Sequence, residues 1–400
     1  MKISGIICEY NPFHNGHLHH INETRKNGAT HIVAVMSGNF VQRGDVAIMD
    51  KLERARLALR SGVDLVIELP VQYCLSSAQN YAAGAVWLLD SLGAVEELSF
   101  GSECGDIEKL SKALDTIELT AIAHAQEIHG IMEKGYTYPR ALNSVINGID
   151  PETASIISEP NNILGIEYLR ALKDLASGIR PFTIKRRYAP HDSDITGEDT
   201  ASASLIRDII CREHSVDNVL KYTNALWGDA LENAVEEGEI ALIERLERVM
   251  LYKLRSTTAE EIASINDVAQ GLESRIYAAR MAGSLDELLF TVKSKRYTMA
   301  RIKRIMLSLL IGITKEDMEQ MPPYGRILAI NERGREILAQ AKSMASIPYG
   351  TSLAKLGQLS PVAERFAELE VRASDVYGLA LEKITSAQKD YRAKIMIDME

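Results

Sequence analysis

The feature that most constrains this chain is a change of rhythm near residue 200. Before it, short apolar runs alternate with helical patterns; after it, strand signals fade and helical spacing takes over. Runs at 2–8, 31–36, 64–68, 96–100 and 181–188 read as strands. Stretches near 16–27, 50–61, 77–92 and 105–115 read as the helices between them. Such alternation calls for a parallel sheet with helices on both faces. Residues 118–179 break the rhythm with helical patterns such as 122–135 and 162–177, and read as a helical insertion before the last strand. Later on, Leu, Ala, Glu and Arg recur at helical spacing, as in 238–254, 260–282 and 300–311. Proline is absent from 191 to 321, and Pro322-Pro323 and Pro348 then punctuate the end. The expectation is a Rossmann-like α/β domain over 1–208 and an all-helical domain over 209–400.

Residues 6–20 read IICEYNPFHNGHLHH, a strand, a turn and a helix start. Asn11-Pro12 signals the turn, because proline fixes φ and has no amide donor. Gly16 lets a ligand approach the backbone. His14 and His17, three apart, share one helix face. Free amides at a helix start, with two imidazoles, suit a polyphosphate. A zinc-protease reading fails, since His-x-x-His lacks the four-residue spacing and the carboxylate that such a site needs. His19 and His20 read as ordinary helix-face residues.

Other loops follow strand ends, where open parallel sheets bind ligands. MSGNFVQRGDVAIMDK at 36–51 is polar, and the next helix carries Lys51, Arg54 and Arg56. Lys51 is placed to reach a phosphate and Arg43 a carboxylate; a solvated loop with surface cations is the plainer alternative. In SFGSECGD at 99–106, Gly101 would let backbone lie against a base or ribose, and Glu103 or Asp106 would accept from a ribose hydroxyl or bind magnesium. A helix cap at Asp106 is equally good. In EPNNILG, Asn161 or Asn162 opens a helix, with capping preferred over an adenine contact. IKRRY at 184–188 sets Lys185, Arg186 and Arg187 in a row as phosphate clamps, and TASASLIR at 200–207 offers hydroxyls and amides at another helix start. KSKRYTMARIKR at 293–304 holds six cations and no acid. On a helix Tyr297, Arg301 and Arg304 would share a face suited to an RNA backbone, with Tyr297 free to stack; a solvated face is the alternative.

Net charge is −10, which argues against a wholesale nucleic-acid coat but leaves room for one local basic surface. Cys8, Cys74, Cys104 and Cys211 are scattered, so a disulfide framework or structural zinc is not expected and a reducing cytoplasm fits. No run approaches the ~20 apolar residues of a membrane helix.

His-x-Gly-His after a first strand resembles the nucleotidylyltransferase superfamily. TASASLIR is loosely similar to that group's second signature, with Ser202, Ala203 and Ser204 preceding Leu205. Over nearly the whole chain the sequence resembles the bacterial tRNA(Met) cytidine acetate ligases. The resemblance is carried by GIICEYNPFHNGH, SGNFVQRG with the following K-x-x-R, DLVIELP, FGSE, EPNNILG, the Arg-Arg-Tyr near 187 and SKRYTMARIKR. It implies an enzyme that uses ATP, with Mg2+, to make acetyl-adenylate from acetate. The acetyl group then passes to N4 of the wobble cytidine of elongator tRNA(Met). It places ATP on Ile7, Cys8, Glu9, Tyr10, Asn11, Pro12, Phe13, His14, Asn15, Gly16, His17 and His20, on Gly101, on Asn162, and on Arg187 with Tyr188. In the chemistry expected from it, His14 and His17 stabilise the phosphates, Lys51, Arg187 and Ser204 assist, and Asn39 and Arg43 hold acetate. Lys295, Arg296, Arg301 and Lys303 would grip the tRNA. Two rivals share the phosphate motifs. An adenylyltransferase acting on a small phosphorylated acceptor has no need of a long helical half. A non-catalytic RNA-binding protein with a relic fold should show damaged motifs, whereas His14, Gly16 and His17 are intact.

Overall fold

The structure, a computed structural model, describes residues 1–186, 201–269 and 271–397. Its strands are β1 (Ile3–Cys8), β2 (His31–Ser37), β3 (Phe40–Val41), β4 (Asp45–Val46), β5 (Leu65–Leu69), β6 (Glu97–Ser102), β7 (Arg180–Lys185), β8 (Gly325–Ile330), β9 (Tyr349–Gly350) and β10 (Met396–Ile397). The main sheet runs β10-β8-β5-β2-β1-β6-β7, with β9 beside β8. The strands from β5 through β7 pair in parallel. β2 and β5 are buried along their whole length, as strands covered on both faces must be. Chain order reverses between β1 and β6, so the crevice beyond their carboxyl ends is the topological switch point where such sheets bind ligands.

Helices Asn15–Lys26, Lys51–Arg60, Ala78–Ser91 and Ile107–Ala123 connect the strands as the sequence rhythm requires. Helices Ala125–Glu133, Tyr138–Ile149, Pro151–Ile156 and Pro160–Asp174 lie between β6 and β7 after Ile107–Ala123. The later half is largely helical, with two corrections. The pattern at 260–282 is not one helix: Asp267 (φ 67°) and Gly271 (φ 77°) break it into Ala259–Ser264 and Leu272–Ala278. Nor is 209–400 wholly helical. β8 returns to pair antiparallel with β5, and β10 lies parallel on its far side. Without β8, β5 would present a bare apolar edge, an aggregation hazard. The six buried residues Gly-Arg-Ile-Leu-Ala-Ile carry no period that separates a strand from a short helix.

The two halves also share a core. Trp227, on helix Ala225–Glu236, is fully buried with Tyr10, Phe13 and Ile6 of the first strand–turn–helix unit. Its indole stacks on Phe13 at 5.1 Å, and its N–H donates to Ser61 Oγ at 3.0 Å. No described helix is long and apolar enough to cross a membrane.

Candidate active site

At the switch point the chain leaves β1 through Glu9, passes Tyr10 in the left-handed region (φ 46°), and turns at a cis Asn11–Pro12 bond. Three groups pin this turn. Asn11 Oδ1 accepts from Ile48 N–H at 2.7 Å, and Asn11 O accepts from Arg207 Nη1 at 2.5 Å. Arg54, fully buried, donates to the carbonyls of Glu9, Ser37, Gly38 and Met49. Its guanidinium thus ties the ends of β1 and β2 together rather than meeting solvent.

His14 is the N-cap of helix Asn15–Lys26. Its Nδ1 accepts from Gly16 N–H at 3.0 Å, while His17 Nδ1 accepts from His14 N–H at 3.2 Å. This is a capping box built from two imidazoles. The rings stack at 3.8 Å. An Nδ1 that accepts carries no proton, so the proton of each neutral ring sits on Nε2. Both rings line a cavity of about 250 Å³. His20 lines it too; its Nε2 is 3.0 Å from Ser99 Oγ, and burial, with Arg186 nearby, pushes its pKa down to about 4.

The same cavity gathers residues distant in sequence. Ile7, Cys8, Glu9, Tyr10 and Asn11 come from the end of β1, Gly101 from the end of β6, and Gln42 and Arg43 from the loop joining β3 to β4. Ser202, Ser204 and Arg207 open helix Ala203–Glu213, where Ser202 Oγ accepts from Leu205 N–H at 3.1 Å as N-cap. The two phosphate-type signatures, nearly two hundred residues apart, therefore point helix starts at one space. Arg186 closes another side; burial lowers its pKa, against the pull of Glu103. Tyr81, Phe100 and Tyr168 supply an aromatic wall that the loop motifs did not announce, since they sit among ordinary apolar helix and strand residues. Burial pushes the Cys8 thiol up to about 12.

Several expected residues lie elsewhere. Lys51 does not line this cavity. It is buried against Glu68 (2.5 Å), Asp390 (2.7 Å) and Glu370 (3.5 Å), and Arg326 joins from β8 through Glu68 and Asp390. Burial opposes its charge, but Asp390 and Glu68 overcome that and hold its pKa above the ordinary value. Burial, with Glu68 adjacent, pushes the Glu370 carboxyl well up, against the pull of Lys51. Burial is outweighed at Asp390 by Lys51 and Arg326, which hold its carboxyl down. Asn39 is also structural: Oδ1 accepts from Lys51 N–H at 2.8 Å, and with Lys51 it borders a separate cavity of about 750 Å³.

Asn162 is buried, with Oδ1 accepting from Cys104 N–H and Nδ2 donating to Ile156 O, so Asn161 rather than Asn162 lines the cavity. Neither caps its helix. Glu103 does, accepting from the amides of Asn161 (3.2 Å) and Asn162 (2.7 Å), which engages it in place of a ribose. Asp106 caps helix Ile107–Ala123. Pro12, Phe13, Asn15 and Gly16 shape the loop without lining the cavity; Asn15 Nδ2 donates to Lys221 O. Arg187 and Tyr188 lie outside the described residues.

The basic stretch is only partly a solvent stripe. Helix Met299–Ile311 begins after Tyr297, which is buried and not free to stack. Arg296 donates to Met132 O of the insertion, and Arg301 to Asp267 O. Arg304 pairs with Asp267 at 2.9 Å and donates to Gln42 O at 3.3 Å. Gly44 (φ 75°) makes this approach possible: a Cβ there would meet Arg304 N at 2.6 Å and Lys303 Cβ at 2.8 Å. Lys295 is exposed, and Lys303 is half-buried.

Comparison with known proteins decides the family. A family profile described as HIGH Nucleotidyl Transferase matches residues 1–392. The tRNA(Met) cytidine acetate ligase of Caldanaerobacter subterraneus subsp. tengcongensis is 41% identical over 398 residues, 98% of each chain. The chain belongs to the tRNA(Met) cytidine acetate ligase family. Its member from Acetivibrio thermocellus is 38% identical over 94% of each chain. Among solved structures, apo Thermotoga maritima TmcAL superposes with a TM-score of 0.93 at 31% identity, covering 100% of both chains. The same protein bound with alpha-thio ATP superposes at 0.91 and 30% identity, again over 100% of both. The likeness therefore extends through β8 and the helices around it, and not only through the nucleotide-binding sheet.

Proposed function

We propose that this protein is a tRNA(Met) cytidine acetate ligase: it converts acetate and ATP to acetyl-adenylate and diphosphate, then acetylates N4 of the wobble cytidine of elongator tRNA(Met), releasing AMP. The observation that carries this reading is the single cavity at the β1/β6 crevice, entered by the His14–His17 capping box and by the Ser202 helix start. A solved family member with this architecture binds an ATP analogue, which supports a nucleotide here.

The two Nε2–H donors face charge that grows on the α-phosphate and the departing diphosphate, where fixed donors act most strongly. Ser204, the amides at the start of helix Ala203–Glu213, Arg186 and Arg207 extend this donor array, with Arg187 and Tyr188 following Arg186 in sequence. Gly101 and the aromatic wall of Tyr81, Phe100 and Tyr168 suit the flat base and ribose. Arg43, on the same rim, is placed to pair with the acetate carboxylate. Magnesium would ride on the triphosphate with most of its waters, its usual habit; no described cluster of three or more His, Cys, Asp or Glu forms a metal cage. The tRNA would cross the rim beside the loop at 42–44, with Lys295 and Lys303 the basic residues best placed to meet phosphates. A wobble base in a single-stranded loop unstacks at small cost.

The test is exchange of labelled diphosphate into ATP. Exchange that requires acetate, followed by tRNA acetylation when tRNA(Met) is added, is the expected result. Exchange without acetate, or adenylyl transfer to a phosphorylated metabolite, would replace this reading with the adenylyltransferase one.

A further inference from the structure

A cavity that takes in a triphosphate and an acetate should avoid carboxylates, yet Glu9 stands in it, directly after β1. Its Oε1 accepts from Gln42 N–H at 2.8 Å, and among the described residues no hydrogen-bond donor reaches Oε2. Such a group works against anion binding. Its presence calls for a step that uses it.

Resting on the ligase reading above, the chemistry has one step of this kind. Adenylation needs no base, because acetate is already an anion and diphosphate leaves without a proton. Acyl transfer does need one. The cytidine amine is a weak nucleophile, and the amide product carries one proton fewer than the amine. The other groups in the cavity are poorly suited to take that proton. His14 and His17 have Nδ1 committed to backbone amides, His20 Nε2 is committed to Ser99, the arginines cannot accept, and Cys8 is a buried thiol.

We infer that Glu9 is the base of acyl transfer, its carboxylate taking the N4 proton as the cytidine nitrogen attacks the acetyl carbon. The C–N bond forms, the acyl C–O bond to phosphate breaks, AMP leaves with that electron pair, and the proton passes from Glu9 to solvent. Burial raises the Glu9 carboxyl, while the Gln42 amide and Arg207, Arg43 and Arg54 pull it back. Both changes matter: a base is most effective when its pKa approaches the working pH. The groups that interact with it are those three arginines, the phenols of Tyr81 and Tyr168 and the thiols of Cys8 and Cys74, and the histidines line the same cavity.

The experiment compares half-reactions in full-length protein. Glu9→Gln keeps an oxygen for Gln42 N–H but accepts no proton. Single-turnover acetyl transfer to tRNA should fall by about 10²–10⁴, the range for losing a positioned base. Acetate-dependent diphosphate exchange should fall far less, by no more than about tenfold, and hydroxylamine should still trap the accumulated acetyl-adenylate. In the wild type, transfer should climb tenfold per pH unit and then level; in Glu9→Gln that limb should vanish. Glu9→Asp, which keeps a carboxylate one methylene further back, should restore part of both the rate and the limb. Equal loss of exchange and transfer, transfer near the wild-type rate, or an unchanged pH limb in Glu9→Gln would each overturn the assignment. If Glu9→Gln does not fold, Glu9→Asp decides alone: a wild-type pH limb with slowed transfer supports the base, and loss of exchange in step with transfer refutes it. Wild-type exchange that does not need acetate would remove the ligase reading and this inference with it.

Discussion

His14 does two jobs with two nitrogens, and a single substitution separates them. Nδ1 holds the Gly16 amide at 3.0 Å as the helix cap; the proposed function gives Nε2–H to the phosphates. Asparagine is among the best N-cap residues but does not extend to the Nε2 position. His14→Asn should therefore leave stability almost unchanged while removing one transition-state donor. Removing such a donor costs about 10²–10³ in rate, or about 2.7–4 kcal/mol of barrier. His14→Ala loses the cap as well, at about 1 kcal/mol. For a chain of 400 residues, with about 2.1 cal/mol/K of unfolding entropy each, that is a fall in Tm of about 1 °C. The companion change is His17→Gln, since glutamine at the third helical position also reaches back to the N-cap amide. Acetate-dependent diphosphate exchange and a thermal melt, run on all three variants, test this. Exchange in His14→Asn within a few-fold of wild type would refute the phosphate role. A loss of exchange matched by a Tm drop of many degrees would show that the histidines serve only the fold.

Asp390→Asn should destabilise the protein by about 3–5 kcal/mol, because it leaves Lys51 and Arg326 short of a buried partner; over 400 residues that is roughly 4–6 °C in a melt. If the melt is unmoved while exchange collapses, Lys51 is a catalytic group after all. His20 should titrate near pH 4 by imidazole NMR. Its folded pKa lies below the unfolded value of about 6.5, so its contribution is whole above that pH and is lost as pH falls towards 4; Tm of His20→Gln should then change less than wild type between pH 7 and 4.5, and equal slopes would contradict the shift. A fragment ending near residue 210 keeps both phosphate signatures but loses Trp227, β8 and Asp390, and should aggregate or remain unfolded; a soluble, cooperative melt from it would show that the halves fold independently. Lys295→Glu with Lys303→Glu should weaken tRNA binding, reduce its salt dependence and spare acetate-dependent exchange; unchanged affinity would move the RNA surface elsewhere.

What was legible in the sequence follows from range. β1, β2, β5 and β6, with the helices between them, show local periodicity, so each is found within a residue or two. The His14–Gly16–His17 unit is likewise local, because one helix start fixes all three. The misjudged residues are those whose partners lie far away. Lys51 and Arg54 look like surface cations on an amphipathic helix, yet Lys51 meets Asp390, 339 positions on, and Arg54 meets carbonyls of two strands. Asn162 was read against its own helix, whereas its side chain serves Cys104, 58 positions back. β8 escapes a local reading because Gly-Arg-Ile-Leu-Ala-Ile after a proline pair resembles the end of a domain as much as a strand. Trp227 gave one signal that sequence could have used: a lone tryptophan in a helical half has to bury a large indole against something.

These long-range contacts also explain why an enzyme with a complete nucleotide site would need so long a second half. Arg304, in the basic stretch, is tied to Asp267 and to the carbonyl of Gln42. The amide of the same Gln42 holds Glu9 Oε1. One residue thus joins the basic stretch with the carboxylate assigned to acyl transfer. Acetyl-adenylate is open to hydrolysis whenever water and a base reach it together. The loop carrying Gln42 is held by helix Met299–Ile311, so a base at Glu9 is set only as firmly as that helix is held. The groups proposed for adenylation are the histidines, the Ser202 helix start and Arg186, and none of them meets Gln42 in the described contacts. On the proposed roles, the first half-reaction rests on the sheet and the second spans the junction. With Glu9 as base, the acid–base step would belong to the part of the site that the helical half supports.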